Sequence, residues 1–225
     1  MKELSDFNAQ MLNFLLKKTS SEKIDFSSIT NWHQSHPNYR LNYYDGIQIS
    51  QVLGIYLLFN KDWLSNFDNI IEIGSYNGGL SSYIFESKKE TTSFVSYDIA
   101  PEINDTAKKR NDIDFRIGDC FEEIHTNEII ELINRPGRTL MICDGGNKTE
   151  EFNLFSKYLK SNDVIILHDY KHTAESWKMM TEYWQWPYGF ETSYDEIKDA
   201  ISVNGLKEYR NEEFNFFAWG SYIKK

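Results

Sequence analysis

The 225 residues carry 24 Lys and Arg against 34 Asp and Glu, a formal net charge of −10. A surface of that sign repels nucleic-acid phosphates, and the longest basic run, Lys108-Lys109-Arg110, is too short for a binding stripe. No apolar run approaches the roughly 18 residues a membrane helix needs, and the start MKELSDFNAQ lacks the pattern of a secretory leader. The two cysteines, Cys120 and Cys143, stand alone without disulfide or zinc spacing. The expected setting is cytoplasmic, with neither nucleic acid nor membrane as partner.

In chain order, residues 4–18 place Leu4, Phe7, Met11 and Leu15 on one face of an amphipathic helix. Residues 19–46 are polar and broken, so residues 1–46 are expected to form a helical extension that lids the site or joins copies in a homo-oligomer. Residues 47–225 then make the main domain, with a helical pattern over 47–59 leading into the first strand. Ile70-Ile71-Glu72-Ile73 reads as a buried strand ending at Gly74, followed by a helix over 79–87 with Leu80, Tyr83, Ile84 and Phe85 inward. Strands are expected at 93–98 and 114–117, with a polar helix from Pro101 to about Arg110 between them. A helix over about 120–134, with Phe121, Ile124, Ile129 and Leu132 near helical period, stops at Arg135-Pro136-Gly137. A fourth strand at 139–143, a helix at 150–159 and a fifth strand at 164–167 follow. Beyond them come a helix over 173–184 and a late antiparallel strand within 213–223, at or near an edge. Alternating strands and helices at this spacing define βαβ units, hence an α/β, Rossmann-like, doubly wound and mostly parallel sheet with helices on both faces.

In such a sheet, ligands bind outside the carboxyl ends of the strands. Four of the five strands end near a carboxylate: Asp98, Asp119, Asp144 and, beside His168, Asp169. After the first strand the pattern is E-x-G-x-x-x-G-G, from Glu72 to Gly79, which is not the G-x-G-x-x-G fingerprint of a nicotinamide site. Asp98 follows Gly74 by 24 residues, where a carboxylate can accept both hydroxyls of a ribose. Glu72 interrupts an apolar strand, a costly place for a carboxylate unless it is hydrogen-bonded, which favours a role at the site.

The segments NIIEIGSYNGGLSSYIFES, SFVSYDIAPE and IDFRIGDCFEEI resemble the first three motifs of class I S-adenosylmethionine-dependent methyltransferases. The resemblance covers residues 69–170 and implies a seven-stranded sheet. It implies that Glu72, Gly74, Ser75, Tyr76, Asn77 and Gly78 surround the methionine part of the cofactor. Asp98 and Ile99 would then meet the ribose, Asp119 and Cys120 the adenine, and Asp144 would close the cofactor site. MICDGGNKTEEF and NDVIILHDY are similar to the metal-dependent small-molecule O-methyltransferases of the macrocin and cephalosporin-hydroxylase-like groups. That similarity implies a divalent ion, magnesium first, on Asp144, His168 and Asp169, and a small-molecule or sugar hydroxyl as acceptor. The histidine departs from an all-oxygen set and leaves manganese, iron or zinc open.

The residues themselves leave other readings open. Asp119 is also a candidate helix cap, and His168 a general base rather than a ligand. Lys148 is a second base candidate, although an exposed lysine at a helix start is the expectation there. His33 and His36 read as loop residues, His172 as a candidate cleft wall, and the aromatic run 183–188 as pocket wall or core. The rival functions are a non-catalytic binder of S-adenosylmethionine or S-adenosylhomocysteine, and an NAD(P)-dependent reductase.

Overall fold

The computed structural model describes residues 43–44, 47–49, 54–55, 58–100, 102–110, 113–178, 189–215 and 217–225. The helix expected over 4–18, the His33 and His36 loop and the aromatic run 183–188 lie outside these residues.

A short antiparallel ribbon, β1 (Tyr43–Tyr44) and β2 (Ile47–Gln48), precedes helix α1 (Lys61–Leu64). The main alternation then runs β3 (Asn69–Ile73), α2 (Gly79–Ser87), β4 (Ser93–Asp98), α3 (Asp105–Lys108), β5 (Asp114–Ile117) and α4 (Glu123–Ile133). It continues through β6 (Thr139–Cys143), α5 (Lys148–Phe155) with a 3-10 turn at Ser156–Tyr158, and β7 (Val164–Leu167). The two-residue strands β8 (Tyr170–Lys171) and β9 (Thr192–Ser193) pair beside the main sheet. Helix α6 (Tyr194–Val203), β10 (Leu206–Glu208), α7 (Asn211–Asn215) and β11 (Gly220–Lys224) complete the chain.

The main sheet has seven strands in the order β10-β11-β7-β6-β3-β4-β5. Strands β7, β6, β3, β4 and β5 pair in parallel, while β11 is antiparallel to both neighbours. The central strands β3, β6 and β7 are buried along their whole length, as expected of parallel strands covered on both faces. Their side chains alternate between two cores. Ile70, Leu140, Ile142, Val164 and Ile166 face α1, α2 and α7, while Ile71, Ile73, Met141, Ile165 and Leu167 face α4, α5 and α6. The chain winds outward from β3 to β5, then crosses to β6 on the other side of β3, so the strand order reverses between β3 and β6.

Much of the aromatic content is core. Phe59, Trp63, Phe67, Phe214 and Trp219 meet in a chain of mostly edge-on contacts, with centroids 5.0–6.2 Å apart. Edge-on geometry aligns positive ring edges with negative faces and adds to the area buried.

Several expectations are corrected. Residues 47–48 pair as a strand rather than starting a helix, and helical backbone appears only at 54–55 and 58 among the described residues of that stretch. The expected strand over 213–223 divides: Asn211–Asn215 is helix, and only Gly220–Lys224 is strand, one place in from the edge because β10 pairs outside it. Phe121 and Ile124 are 38% and 64% exposed, since α4 begins only at Glu123 and turns Ile129, Leu132 and Ile133 to the core.

Asp163, fully buried before β7, ties that strand to β6. It accepts from Thr139 N at 2.7 Å and Lys160 N at 2.8 Å, and pairs with Lys160 Nζ at 2.9 Å. Asp163→Ala strands the buried Thr139 N–H and the half-buried Lys160 N–H and is expected to lower stability by about 3 kcal/mol, read from urea denaturation; Asp163→Asn should lose less.

Candidate active site

The loop after β3 begins at Gly74 with φ 92°, and its N–H donates to Tyr97 O at 2.8 Å. A Cβ on Gly74 would lie 2.0 Å from the carbonyl oxygen of Asp144. Only glycine permits that approach. Ser75 is buried and its N–H also donates to Tyr97 O, at 3.2 Å; Tyr76 is 56% exposed, with φ 45°. Asn77 O accepts from Asn104 N at 3.0 Å, and Gly78, at φ 85°, starts α2 without a side-chain cap.

Asp98, half-buried at the end of β4, turns back over this loop. Its Oδ2 accepts from Tyr76 N at 2.6 Å and its Oδ1 from Ala100 N at 3.0 Å. Each oxygen keeps a further lone pair for a ligand hydroxyl. Ile99 beside it is 71% exposed. Asp119 forms a local turn, its Oδ1 accepting from Phe121 N at 2.9 Å, while α4 starts later, with Glu122 at its N-cap. Burial pushes the neighbouring Cys120 thiol up to about 12, so it stays protonated at neutral pH.

Glu72 is fully buried beneath the loop, and its Oε2 accepts from Ser81 Oγ and Ser96 Oγ, each at 2.5 Å. Burial raises its carboxyl to about 7; the two hydroxyls oppose that, and the negative charges of Asp144 and Asp98 reinforce it. Glu151, also buried, accepts from Gly145 N and Asn147 N at 3.2 Å each and so shapes the loop after β6. Burial raises it likewise to about 7.

The ends of β6 and β7 supply a compact charged cluster. His168 Nδ1 lies 3.0 Å from Asp144 Oδ1 and 3.7 Å from Asp169 Oδ2. In an extended strand, residues 168 and 169 would point to opposite faces; the left-handed φ of 51° at Asp169 brings both groups to one place. The His168 ring stacks on Trp219 at 4.4 Å. The register explains this contact, because Gly220 pairs with Leu167, leaving Trp219 opposite His168. Burial opposes a charge on His168, but Asp144 and Asp169 outweigh it and raise the imidazole above its usual value. Burial raises the Asp169 carboxyl, and Asp144 adds to the effect against the pull of His168.

Lys148 contradicts the expectation of an exposed lysine. It is 5% exposed, donates to Gly145 O at 3.0 Å, lies 3.7 Å from both Asp144 Oδ1 and Asp169 Oδ2, and pairs with Glu191 Oε2. Burial disfavours its charge, yet Asp144, Glu191 and Asp169 together raise its pKa. The signal was in the periodicity: Lys148 shares one buried stripe of α5 with Glu151, Phe152 and Phe155. Glu191 and Trp219 carry no comparable signal, since each reaches the cluster only through the topology. His172 lies apart from it, with Nδ1 3.0 Å from Tyr170 OH and Nε2 3.5 Å from Glu208.

Asp144, His168 and Asp169 each offer one ligand atom, and these atoms lie within 4.8 Å of one another. Asp169 Oδ1 is buried without a hydrogen-bond partner, and His168 Nδ1 points at both carboxylates. The mixed oxygen and nitrogen donors therefore fit a divalent ion.

With this strand order and rim, the chain has the Rossmann-like fold of class I methyltransferases. Among similar solved structures is CmcI with Mg-SAM, at 14% identity and TM-score 0.56, covering 93% of this chain and 84% of that one. CmcI with SAH is similar at 15% identity and TM-score 0.52, covering 91% and 92%. A Staphylococcus aureus protein provisionally named a caffeoyl-CoA O-methyltransferase is similar at 12% identity and TM-score 0.53, covering 97% and 99%. No protein-family model and no curated protein matches the chain.

The raised Glu72 carboxyl has a consequence for stability. Between pH 4.5, its ordinary value, and about 7, the folded protein holds a proton that the unfolded chain releases. Stability therefore falls as pH rises through that window and levels off above it. Glu72→Gln should remove this share, gaining up to about 3 kcal/mol over wild type between pH 4.5 and pH 8. Glu151 keeps a similar slope in the variant. Urea midpoints across this range check it, and a pH-independent difference between the two proteins would contradict it.

Proposed function

We propose that the protein is an S-adenosylmethionine-dependent methyltransferase acting on a hydroxyl of a small molecule or sugar. The observation that carries this reading is the contact of Gly74 with Asp144, which sets the cofactor loop directly against the charged cluster. A donor methyl held by the loop and an acceptor oxygen held by the cluster would then be neighbours. Gly74, Ser75, Tyr76, Asn77 and Gly78 would take the methionine part over the buried Glu72; Asp98 and Ile99 would take the ribose, and Asp119 and Cys120 the adenine. The acidic rim suits the positively charged sulfonium.

Methyl transfer is an in-line displacement: the oxygen–carbon bond forms as the sulfur–carbon bond breaks, and the sulfonium becomes a neutral thioether. The protein's work is to align the three atoms and receive the hydroxyl proton. Where no metal binds them, Asp144 and His168, in contact with each other, would hold that proton, with Lys148 beside them. A divalent ion on Asp144, His168 and Asp169, magnesium first, would lower the pKa of the acceptor hydroxyl. CmcI with Mg-SAM supports considering both groups here. We place the protein in the cytoplasm, as its two buried free cysteines suit a reducing compartment; no helix among the described residues is long and apolar enough to cross a membrane. Residues 1–46 would form the lid or a homo-oligomer contact.

Titration calorimetry with S-adenosylmethionine and S-adenosylhomocysteine, with and without magnesium, is the direct test. Micromolar binding is expected, weakened at least about tenfold in Asp98→Ala by the loss of charge-assisted hydrogen bonds. A folded wild-type protein that binds neither compound overturns the reading.

A further inference from the structure

Three carboxylates surround the Lys148 ammonium. Asp144 Oδ1 and Asp169 Oδ2 are each 3.7 Å away, and Glu191 Oε2 is in contact. Two of these three belong to the candidate ligand set. The ammonium arrives from α5 rather than from solvent, and at 5% exposure it is not a surface group folded inward by chance. Gly145 O, in the loop that carries Asp144, accepts a further hydrogen bond from it at 3.0 Å.

We propose that Lys148 is the resident cation of this cluster and competes with a divalent ion for Asp144 and Asp169. Carboxylates crowded at this distance repel one another unless a positive charge stands between them. A metal would supply that charge, and so does the ammonium. Both satisfy the same oxygens, so each weakens the other's hold. Glu191, exposed at the outer side and absent from the ligand set, gives the ammonium a second partner to retain when a metal takes the inner carboxylates. Lys148 thus sets a low affinity for divalent ions and keeps the cluster intact without one. The inference deepens the methyltransferase reading and rests on it only for the consequence that acceptor activation need not await a metal.

The test is manganese binding to the full chain, by calorimetry and by the electron paramagnetic resonance of the free ion, for wild type, Lys148→Gln and Lys148→Arg. Lys148→Gln is expected to bind manganese at least about tenfold more tightly than wild type, because two carboxylates lose their internal partner. Lys148→Arg, which keeps the charge, should stay within about threefold of wild type. Equal or weaker binding in Lys148→Gln overturns the proposal, as does tightening of the same size in Lys148→Arg. Should Lys148→Gln not fold without metal, a cooperative melt restored by manganese supports the proposal, and failure to restore it counts against. S-adenosylmethionine affinity measured on the same proteins separates the two readings. Its absence from all of them faults the transferase assignment and leaves the counter-cation result standing.

Discussion

The Gly74 backbone lies so close to the Asp144 carbonyl that a Cβ would sit 2.0 Å from the oxygen, and the geometry of the whole rim depends on that contact. It occurs where the strand order reverses, so the loops after β3 and β6 diverge around one opening while their roots stay fused. Asp144 N donates to Ile73 O at 2.9 Å, closing the same junction from the other direction. A shift of either loop would have to carry the other with it. The distance between the loop after β3 and the charged cluster is therefore a property of the sheet rather than of flexible connections.

Charge is layered around this junction. Glu72 lies deepest, held by two hydroxyls and half protonated near neutrality. Above it come Asp144 and Asp169, balanced by Lys148 and His168, and at the rim Asp98 and the exposed Glu191. In a chain of net charge −10, these carboxylates are not neutralised by a general excess of cations. Local pairing has to do it, which is why a lysine is found buried here against the usual preference for water.

The strands and the positions of the residues at their ends were legible in the sequence because both are local. The strands at 93–98, 139–143 and 164–167 match the structure residue for residue, since buried parallel strands write themselves as short apolar runs between breakers; the edge strand at 114–117 also matches, although it is only partly buried. The chemistry-bearing residues Asp98, Asp144, His168 and Asp169 stand directly after those runs. What failed to show was set by distant parts of the chain. β10 has one buried residue in three, too little to announce a strand, and the alternation of the aromatic stretch before β11 reads as strand, although its first part folds as α7. Lys148 was seen but misplaced, because its charge argued for solvent more strongly than its position on the α5 stripe argued for burial.

The stack of Trp219 on His168 makes one half of the rim depend on a strand about fifty residues further along the chain. Gly74, Asp98 and Asp119 occupy a continuous stretch, and their strands pair in sequence as parallel neighbours. Those pairings join segments close in sequence. The imidazole, by contrast, receives its cover only when β11 slides between β7 and β10, from a segment far along the chain. Without the β11–β7 pairing, Trp219 is not held opposite His168 and the imidazole beside its two carboxylates lacks that cover. Cover of the imidazole is thus a non-local feature, which waits on the pairing of β11 with β7.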